Sequence, residues 1–199
     1  MVSELSHKIV DSLVKKEIIL PEQQEIYLFG TEQVITTAIN FATTIFIGIC
    51  FGELLHALLF LVAFMVLRSY SGGFHASTPL KCYIMSVFSI LAALSAIKFL
   101  EYNNLICIGL ISFSGAVIFC LAPVDTENKP LDEIEKIIYR KKALIIWFVQ
   151  AAAACIAIPL SFTTLTVSIA AAQILTGTAL VLGQAQQDVN KKIANNKVD

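Results

Sequence analysis

Six long apolar segments, joined by shorter polar stretches, dominate the pattern of the chain. A helix needs about 20 apolar residues to cross the hydrocarbon core of a bilayer. The pattern therefore predicts an all-α polytopic membrane protein with six transmembrane helices. The second segment is short for a span, which would fit local thinning of the bilayer or a following loop that dips inward. The segments cover residues 34–51, 54–67, 83–100, 105–122, 143–160 and 165–182.

The chain before the first span repeats its apolar positions at the helical period. Charged and polar residues fill the other positions, and Pro21 follows as a stop signal. This pattern predicts an N-terminal amphipathic helix lying on the inner leaflet; the alternative is a helix packed on the cytoplasmic loops. The apolar stripe consists of Leu5, Ile9, Val10, Leu13, Val14 and Ile18.

Composition supports the membrane prediction and narrows the chemistry. Hydrophobic residues make up 57% of the 199 residues and charged residues 15%, with a mean hydropathy of +0.77. The core of a soluble protein of this size could not bury so many apolar side chains. Five cysteines are scattered without a CxxC pair, so neither a zinc site nor a disulfide framework is indicated. No Walker-type glycine loop is present, and we expect no metal, cofactor or nucleic-acid partner.

The positions of the basic residues predict an orientation in the membrane. If the N-terminus is cytoplasmic, all of the 14 Lys and Arg residues except Lys98 fall on the inner side of the six predicted spans. We therefore expect a multi-pass protein of the cell membrane, with both termini and the connection 68–82 in the cytoplasm.

The connection between the second and third spans, RSYSGGFHASTPLKC, carries the candidate chemistry. His75 and Cys82 are seven residues apart, which is about 10 Å along a continuous helix and too far for a hydrogen bond. Gly72, Gly73 and Pro79 interrupt such a helix, so the chain can fold His75 back toward Cys82.

A thiol within hydrogen-bond reach of an imidazole can act as a thiolate nucleophile. Cys82 stands at the start of the third predicted span, where a helix N-terminus favours a thiolate and a developing oxyanion. This arrangement predicts acyl transfer on a peptide at the inner membrane surface. The alternative is that Cys82 is a small boundary residue and His75 a polar loop residue.

Arg68, Gly72, Gly73, His75 and Cys82 follow one another in the order R-x3-GG-x-H-x6-C. This signature resembles that of the accessory gene regulator B (AgrB) family, which consists of membrane-embedded cysteine endopeptidases of Gram-positive quorum-sensing systems. The stretches EIYLFGTEQVI and APVDTENKPL are also similar to the family, as is the length of the chain.

The resemblance implies one AgrB-like peptidase domain over residues 1–199. An amphipathic helix and a cytoplasmic loop would occupy residues 1–32. The transmembrane core would cover 33–183, with the catalytic loop at 68–82, and 184–199 would form a cytoplasmic tail.

The resemblance also implies an activity, the removal of the C-terminal part of a quorum-sensing precursor peptide of the AgrD type. Cys82 would be the nucleophile that forms an acyl-enzyme thioester, and His75 the general base. A cysteine or serine of the precursor would then close a thiolactone or lactone ring. The implied partners are the precursor, membrane lipid and a second copy of the chain in a homodimer. The motif positions with structural or substrate-positioning roles are Arg68, Gly72, Gly73 and Pro79.

Two groups of basic residues keep alternative roles. Arg68 can anchor the end of its span at the interface, or it can pair with an acidic precursor tail or a lipid phosphate. Arg140, Lys141 and Lys142 end the polar loop 123–142. They can anchor the fifth span by ordinary positive-inside bias, or they can contact an acidic peptide.

Two other functions fit the sequence. One is a small transporter or export component for a peptide, with Arg68 and His75 as gate or binding residues, and the other is a non-catalytic membrane scaffold. A transporter is expected to carry ionisable residues near mid-membrane. The predicted spans instead have apolar centres, with Gln150 and Gln173 as polar exceptions that can bond between helices. A scaffold has no need of a Cys–His pair.

Overall fold

The computed structural model describes residues 2–74, 78–100, 102–125 and 131–195. Regular structure in these residues is entirely helical, which confirms the all-α prediction. A short 3-10 helix, Pro21–Gln23, precedes the second of seven α-helices. The α-helices are α1 (Val2–Lys15), α2 (Gln24–Phe51), α3 (Leu54–Ser71), α4 (Pro79–Phe99), α5 (Asn104–Leu121), α6 (Glu133–Ala157) and α7 (Thr163–Asn195).

Five of the described helices are long and apolar enough to cross a membrane: α2, α3, α4, α5 and α7. They correspond to the first four and the last of the six predicted spans. The remaining predicted span, 143–160, lies in α6. Its first turns carry the charges of the polar loop, and the helix ends at Ala157, before the predicted end. The uncharged part of α6 is therefore too short to count as a helix that can cross a membrane by the same standard of length and apolarity.

The helices on either side of the candidate loop extend further than their apolar pattern. The second predicted span was short, but α3 continues past its apolar run to Ser71 and reaches 18 residues. α4 begins at Pro79, four residues before the predicted start of the third span. The predicted loop 68–82 is therefore too long: Arg68 and Cys82 lie within helices, and the connection is confined to residues 72–78.

α7 lies centrally among the helices and packs against α3, α4, α5 and α6. A buried polar network joins it to its neighbours. Gln173 Nε2 donates to Gln150 Oε1 at 3.3 Å, and Gln150 Nε2 donates to the Ala63 carbonyl of α3 at 2.9 Å. Ser114 Oγ of α5 donates to Gln173 Oε1 at 3.1 Å. These contacts confirm the prediction that both glutamines form hydrogen bonds between helices.

The N-terminal helix α1 packs against α2. Val10 is fully buried, and Gln24 Nε2 donates to Asp11 Oδ1 at 2.9 Å. Other members of the apolar stripe, including Leu5 and Ile9, remain exposed. The helix therefore uses one edge of its stripe to contact α2 and leaves the rest on the protein surface.

Candidate functional site

Cys82 lies in the first turn of α4, and local sequence explains why the helix begins there. Thr78 is extended (φ −137°, ψ 148°), as expected of the residue before a proline, and Pro79 occupies the first helical position. The Thr78 Oγ1 accepts a hydrogen bond from the Lys81 N–H at 3.3 Å, and the Cys82 N–H donates to the Thr78 carbonyl at 3.0 Å. Cys82 is thus held on a rigid element, as predicted, and its side chain is partly exposed.

Cys82 lines a partly open cavity of about 340 Å³ between α2, α3, α4 and α7. Most of the lining is apolar. Besides Cys82, the lining groups with polar or motif character include Asn40, Thr44, Arg68, Ser86 and Thr178. Phe74, the residue before His75, lines the same cavity. This cavity is called here the Cys82 cavity.

The Arg68 side chain contacts the backbone of its own connection. Its Nη1 donates to the carbonyl of Gly72, and its Nη2 donates to the carbonyl of Phe74. A guanidinium presents several donors in a fixed planar arrangement, so it can hold two carbonyls in a defined relation. In this structure Arg68 fixes the segment that leads directly to His75.

Two other elements hold the same segment. The Phe74 N–H donates to the Ala179 carbonyl of α7 at 2.8 Å. The Gly73 N–H donates to the Val124 carbonyl at 3.1 Å, and the Val124 N–H donates to the Ser71 carbonyl at 3.0 Å. Residues 71–74, called here the clamped segment, are therefore bonded to α3, to α7 and to the chain that follows α5.

The two glycines of the motif are required by this geometry. Gly72 has φ +70° and ψ −147°, and Gly73 has φ +116°. Side chains of L-residues avoid such backbone angles. A Cβ on Gly72 would overlap the Val124 carbonyl oxygen, and a Cβ on Gly73 would lie 2.7 Å from the Ala179 carbonyl oxygen. Each position therefore excludes other residues by both angle and space.

Gly183 of α7 packs against the candidate site and was not predicted from the sequence. A Cβ at this position would lie 2.5 Å from the Phe74 nitrogen, so only glycine lets the clamped segment pack on α7. The available signal was the pair of small residues Ala179 and Gly183, four apart on one helix face.

His75 lies outside the described residues, so the predicted meeting of its imidazole with the Cys82 thiol stays a prediction. Residues 76–77 also lie outside the described residues. Pro79 has the predicted role of helix boundary.

The three basic residues before the predicted fifth span are on the exposed surface of α6. Arg140 Nη2 donates to the Phe119 carbonyl at 2.9 Å, near the C-terminus of α5. The Lys142 Nζ lies 5.0 Å from the centroid of the Tyr70 ring. Arg140 and Lys142 thus have contacts within the chain, while Lys141 is exposed, and the predicted contact of these residues with an acidic peptide stays a prediction.

Comparison with known proteins identifies the family. The sequence profile described as Accessory gene regulator B matches residues 6–181 of this chain. The chain belongs to the AgrB family. The match includes the whole R-x3-GG-x-H-x6-C motif and every helix that can span a membrane up to residue 181 of α7.

Curated relatives carry AgrB-like names. The chain is 31% identical over 144 residues to an AgrB-like protein of Clostridium perfringens (strain SM101 / Type A), covering 68% of this chain and 67% of the relative. It is 30% identical over 145 residues to one of Listeria welshimeri, covering 71% of each. It is 31% identical over 142 residues to one of Listeria monocytogenes serotype 4a, covering 69% of each. No solved structure matches the chain significantly.

Membership of the AgrB family, together with the apolar helices, identifies a membrane protein. It also supports a processing role in an agr-type quorum-sensing system, with a precursor of the AgrD type as partner.

Proposed function

We propose that this chain is a membrane cysteine endopeptidase that cleaves an AgrD-like precursor and leaves the signal-bearing part as a thioester on Cys82. One observation carries the proposal. Cys82, at the N-terminus of α4, and Phe74, which ends the clamped segment just before His75, line the same cavity. A nucleophile on a rigid helix, next to a segment held by three elements, is the arrangement that catalysis by two residues requires.

The proposed reaction begins at the Cys82 thiol. His75 accepts the proton of Sγ, and the thiolate attacks the carbonyl carbon of the scissile peptide bond. The carbon–nitrogen bond then breaks, and the imidazolium returns its proton to the leaving amine. The N-terminal part of the precursor remains joined to Cys82 as a thioester, and the C-terminal part is released.

Ring closure completes the proposed reaction. A thiol or hydroxyl of the bound precursor attacks the thioester carbonyl, its proton passes to His75, and the Cys82 thiolate leaves. Exchange of one thioester for another conserves most of the acyl activation, so no nucleotide is needed. The largely apolar lining of the Cys82 cavity limits competition from water, which would otherwise hydrolyse the intermediate.

The proposed orientation puts both termini and the connection 72–78 in the cytoplasm, where a newly made peptide is available. Its support is the distribution of Lys and Arg. The exception, Lys98, has a local partner, because its Nζ donates to the Phe51 carbonyl at the C-terminus of α2 at 2.6 Å. A cation at a helix C-terminus is favourable on either side of a membrane.

The alternative of a small peptide transporter is less well supported. The polar exceptions at the centres of the predicted spans, Gln150 and Gln173, are bonded to each other.

The deciding experiment is co-expression of the chain with its precursor, followed by mass spectrometry of both. The wild-type protein is expected to release the C-terminal fragment and to carry a precursor-derived adduct on Cys82. Cys82→Ala is expected to lose both. Cys120→Ala is the matched control, because Cys120 is an exposed cysteine of α5 outside the Cys82 cavity. Normal processing by a stably expressed Cys82→Ala protein would refute the proposal.

A further inference from the structure

Asn40 is a polar residue within the apolar span α2, and its side chain lines the Cys82 cavity. Its Oδ1 is buried and has no hydrogen-bond partner among the residues that the structure describes. A buried amide oxygen without a donor is unfavourable, and in an apolar membrane helix it is unusual enough to need a reason.

The cavity places Asn40 near the nucleophile. Thr43 Oγ1 and Tyr83 Oη are 3.0 Å apart, which joins α2 to α4 at the residue next to Cys82. Asn40 precedes Thr43 by three positions, so both lie on the same side of α2, one turn apart. Asn40 and Cys82 line the same cavity, at neighbouring levels of α2 and α4.

Three hydroxyls of the lining are already bonded to their own helices. The Thr44 Oγ1 donates to the Asn40 carbonyl at 2.8 Å, the Ser86 Oγ to the Cys82 carbonyl at 3.0 Å, and the Thr178 Oγ1 to the Ile174 carbonyl at 2.9 Å. These hydroxyls have used their single donor within the protein. The Asn40 carboxamide differs from them, because its buried oxygen has no hydrogen bond with any described residue, and a ligand that reaches it would supply the missing donor.

The missing donor matches the chemistry of a peptide. An extended peptide presents backbone N–H and C=O groups in alternation, and a carboxamide can accept from one and donate to the other. We propose that Asn40 hydrogen-bonds the backbone of the precursor in the Cys82 cavity and so positions the scissile carbonyl against the Cys82 Sγ. This inference rests on the proposed peptidase function.

The proposed role is positioning, because Asn40 takes no proton and forms no bond to the reacting carbon. It also concerns the backbone of the precursor rather than a side chain. Recognition through Asn40 therefore does not depend on which amino acid stands at that position of the precursor.

The test combines a protein variant with a change in the precursor backbone. Asn40→Leu keeps the approximate size of the side chain and removes its polar atoms. In a series of synthetic precursors, one peptide bond near the scissile bond at a time is replaced by an ester, which removes a single N–H. Acylation of Cys82 is measured as kcat/KM with purified protein in lipid nanodiscs, for every combination of protein and precursor.

One ester position is expected to lower kcat/KM of the wild-type protein about tenfold, the effect of one hydrogen bond. Asn40→Leu is expected to lower it by a similar factor with the all-amide precursor and to be insensitive to the ester at that same position. Losses that multiply at every position would overturn the inference, because the two changes would then be independent.

Controls separate this outcome from failure of the fold or of the enzyme. Asn104→Leu makes the same chemical change at the exposed start of α5, outside the cavity, and is expected to behave as wild type. Alkylation of Cys82 by iodoacetamide at the wild-type rate would show that the cavity is intact in Asn40→Leu. If the rate differs, the Asn40→Ala variant is used in place of Asn40→Leu. No acylation by the wild-type protein would refute the peptidase function itself, whereas acylation with multiplying losses would refute only the role of Asn40.

Discussion

Arg68 is the residue whose role the structure changes most. Its place at the end of an apolar run fits interfacial anchoring or a contact with an acidic group. The structure instead directs its guanidinium to the Gly72 and Phe74 carbonyls. These bonds lie within the chain and fix the clamped segment, so Arg68 is a structural support for the residues that lead to His75.

The first prediction concerns Gly72, with Gly52 as a matched control. Both have φ close to +70°, but Gly52 has open space around its Cα and ψ 18°, an angle that other residues can adopt. Gly72→Ala adds a clash with the Val124 carbonyl to the strain of its angles. We expect Gly72→Ala to lower precursor cleavage more than about tenfold and Gly52→Ala to cost only about 1 kcal/mol of stability.

The measurement is cleavage of the precursor per amount of membrane-inserted protein, together with the thermal unfolding midpoint in detergent. Equal effects of the two substitutions on cleavage would show that the clamped segment has no special part in activity.

At the scale of elements, the buried amide network decides how α3, α5, α6 and α7 pack. Membrane helices gain no hydrophobic driving force from contact with one another, so close packing and hydrogen bonds have to supply the specificity. Gln150 and Gln173 provide the bonds. Gly115, whose Cα faces the Trp147 ring without room for a Cβ, lets α5 and α6 approach.

The second prediction is that the two glutamines are energetically coupled. Gln150→Leu removes the donor to Ala63 and leaves Gln173 without its acceptor, so we expect a loss of about 1–3 kcal/mol. The double variant Gln150→Leu/Gln173→Leu is expected to lose less than the sum of the two single variants, because no unpaired amide of the pair remains buried. Unfolding in a mixed-detergent titration measures these free energies, and additive losses would contradict the coupling.

At the scale of the whole molecule, the orientation can be tested with cysteine labelling. The chain has four cysteines besides Cys82, three of them exposed, so the test requires a variant with those four replaced by alanine. A membrane-impermeant maleimide is expected to miss Cys82 in intact cells and to label it in inside-out vesicles.

The matched control is the same four-cysteine variant with two further changes, Cys82→Ala and Asn104→Cys, so that its single cysteine is at position 104. Asn104 begins α5 at the end of the molecule opposite to the start of α4, and it is expected to be labelled in intact cells. Labelling of Cys82 in intact cells would show that the orientation is the opposite of the proposed one and that Cys82 does not face the cytoplasm.

The sequence by itself determined the class of the protein and the identity of its motif. Long apolar segments predict membrane helices because length and apolarity are local properties of the chain. The pre-proline Thr78 and the first-turn Pro79 likewise set the start of α4 through local angles, and they brought Cys82 onto a helix as expected.

Only the tertiary structure decided what surrounds that motif. The end of α3 at Ser71, the bonds from the clamped segment to Ala179 and Val124, and the need for Gly183 all depend on residues distant in sequence. Asn40 is the clearest case, since an amide in an apolar span has no local signal that assigns it to a cavity. The physical reason is that hydrogen bonds and close approaches between helices depend on how α2, α4 and α7 pack together, and no periodicity within one helix records that packing.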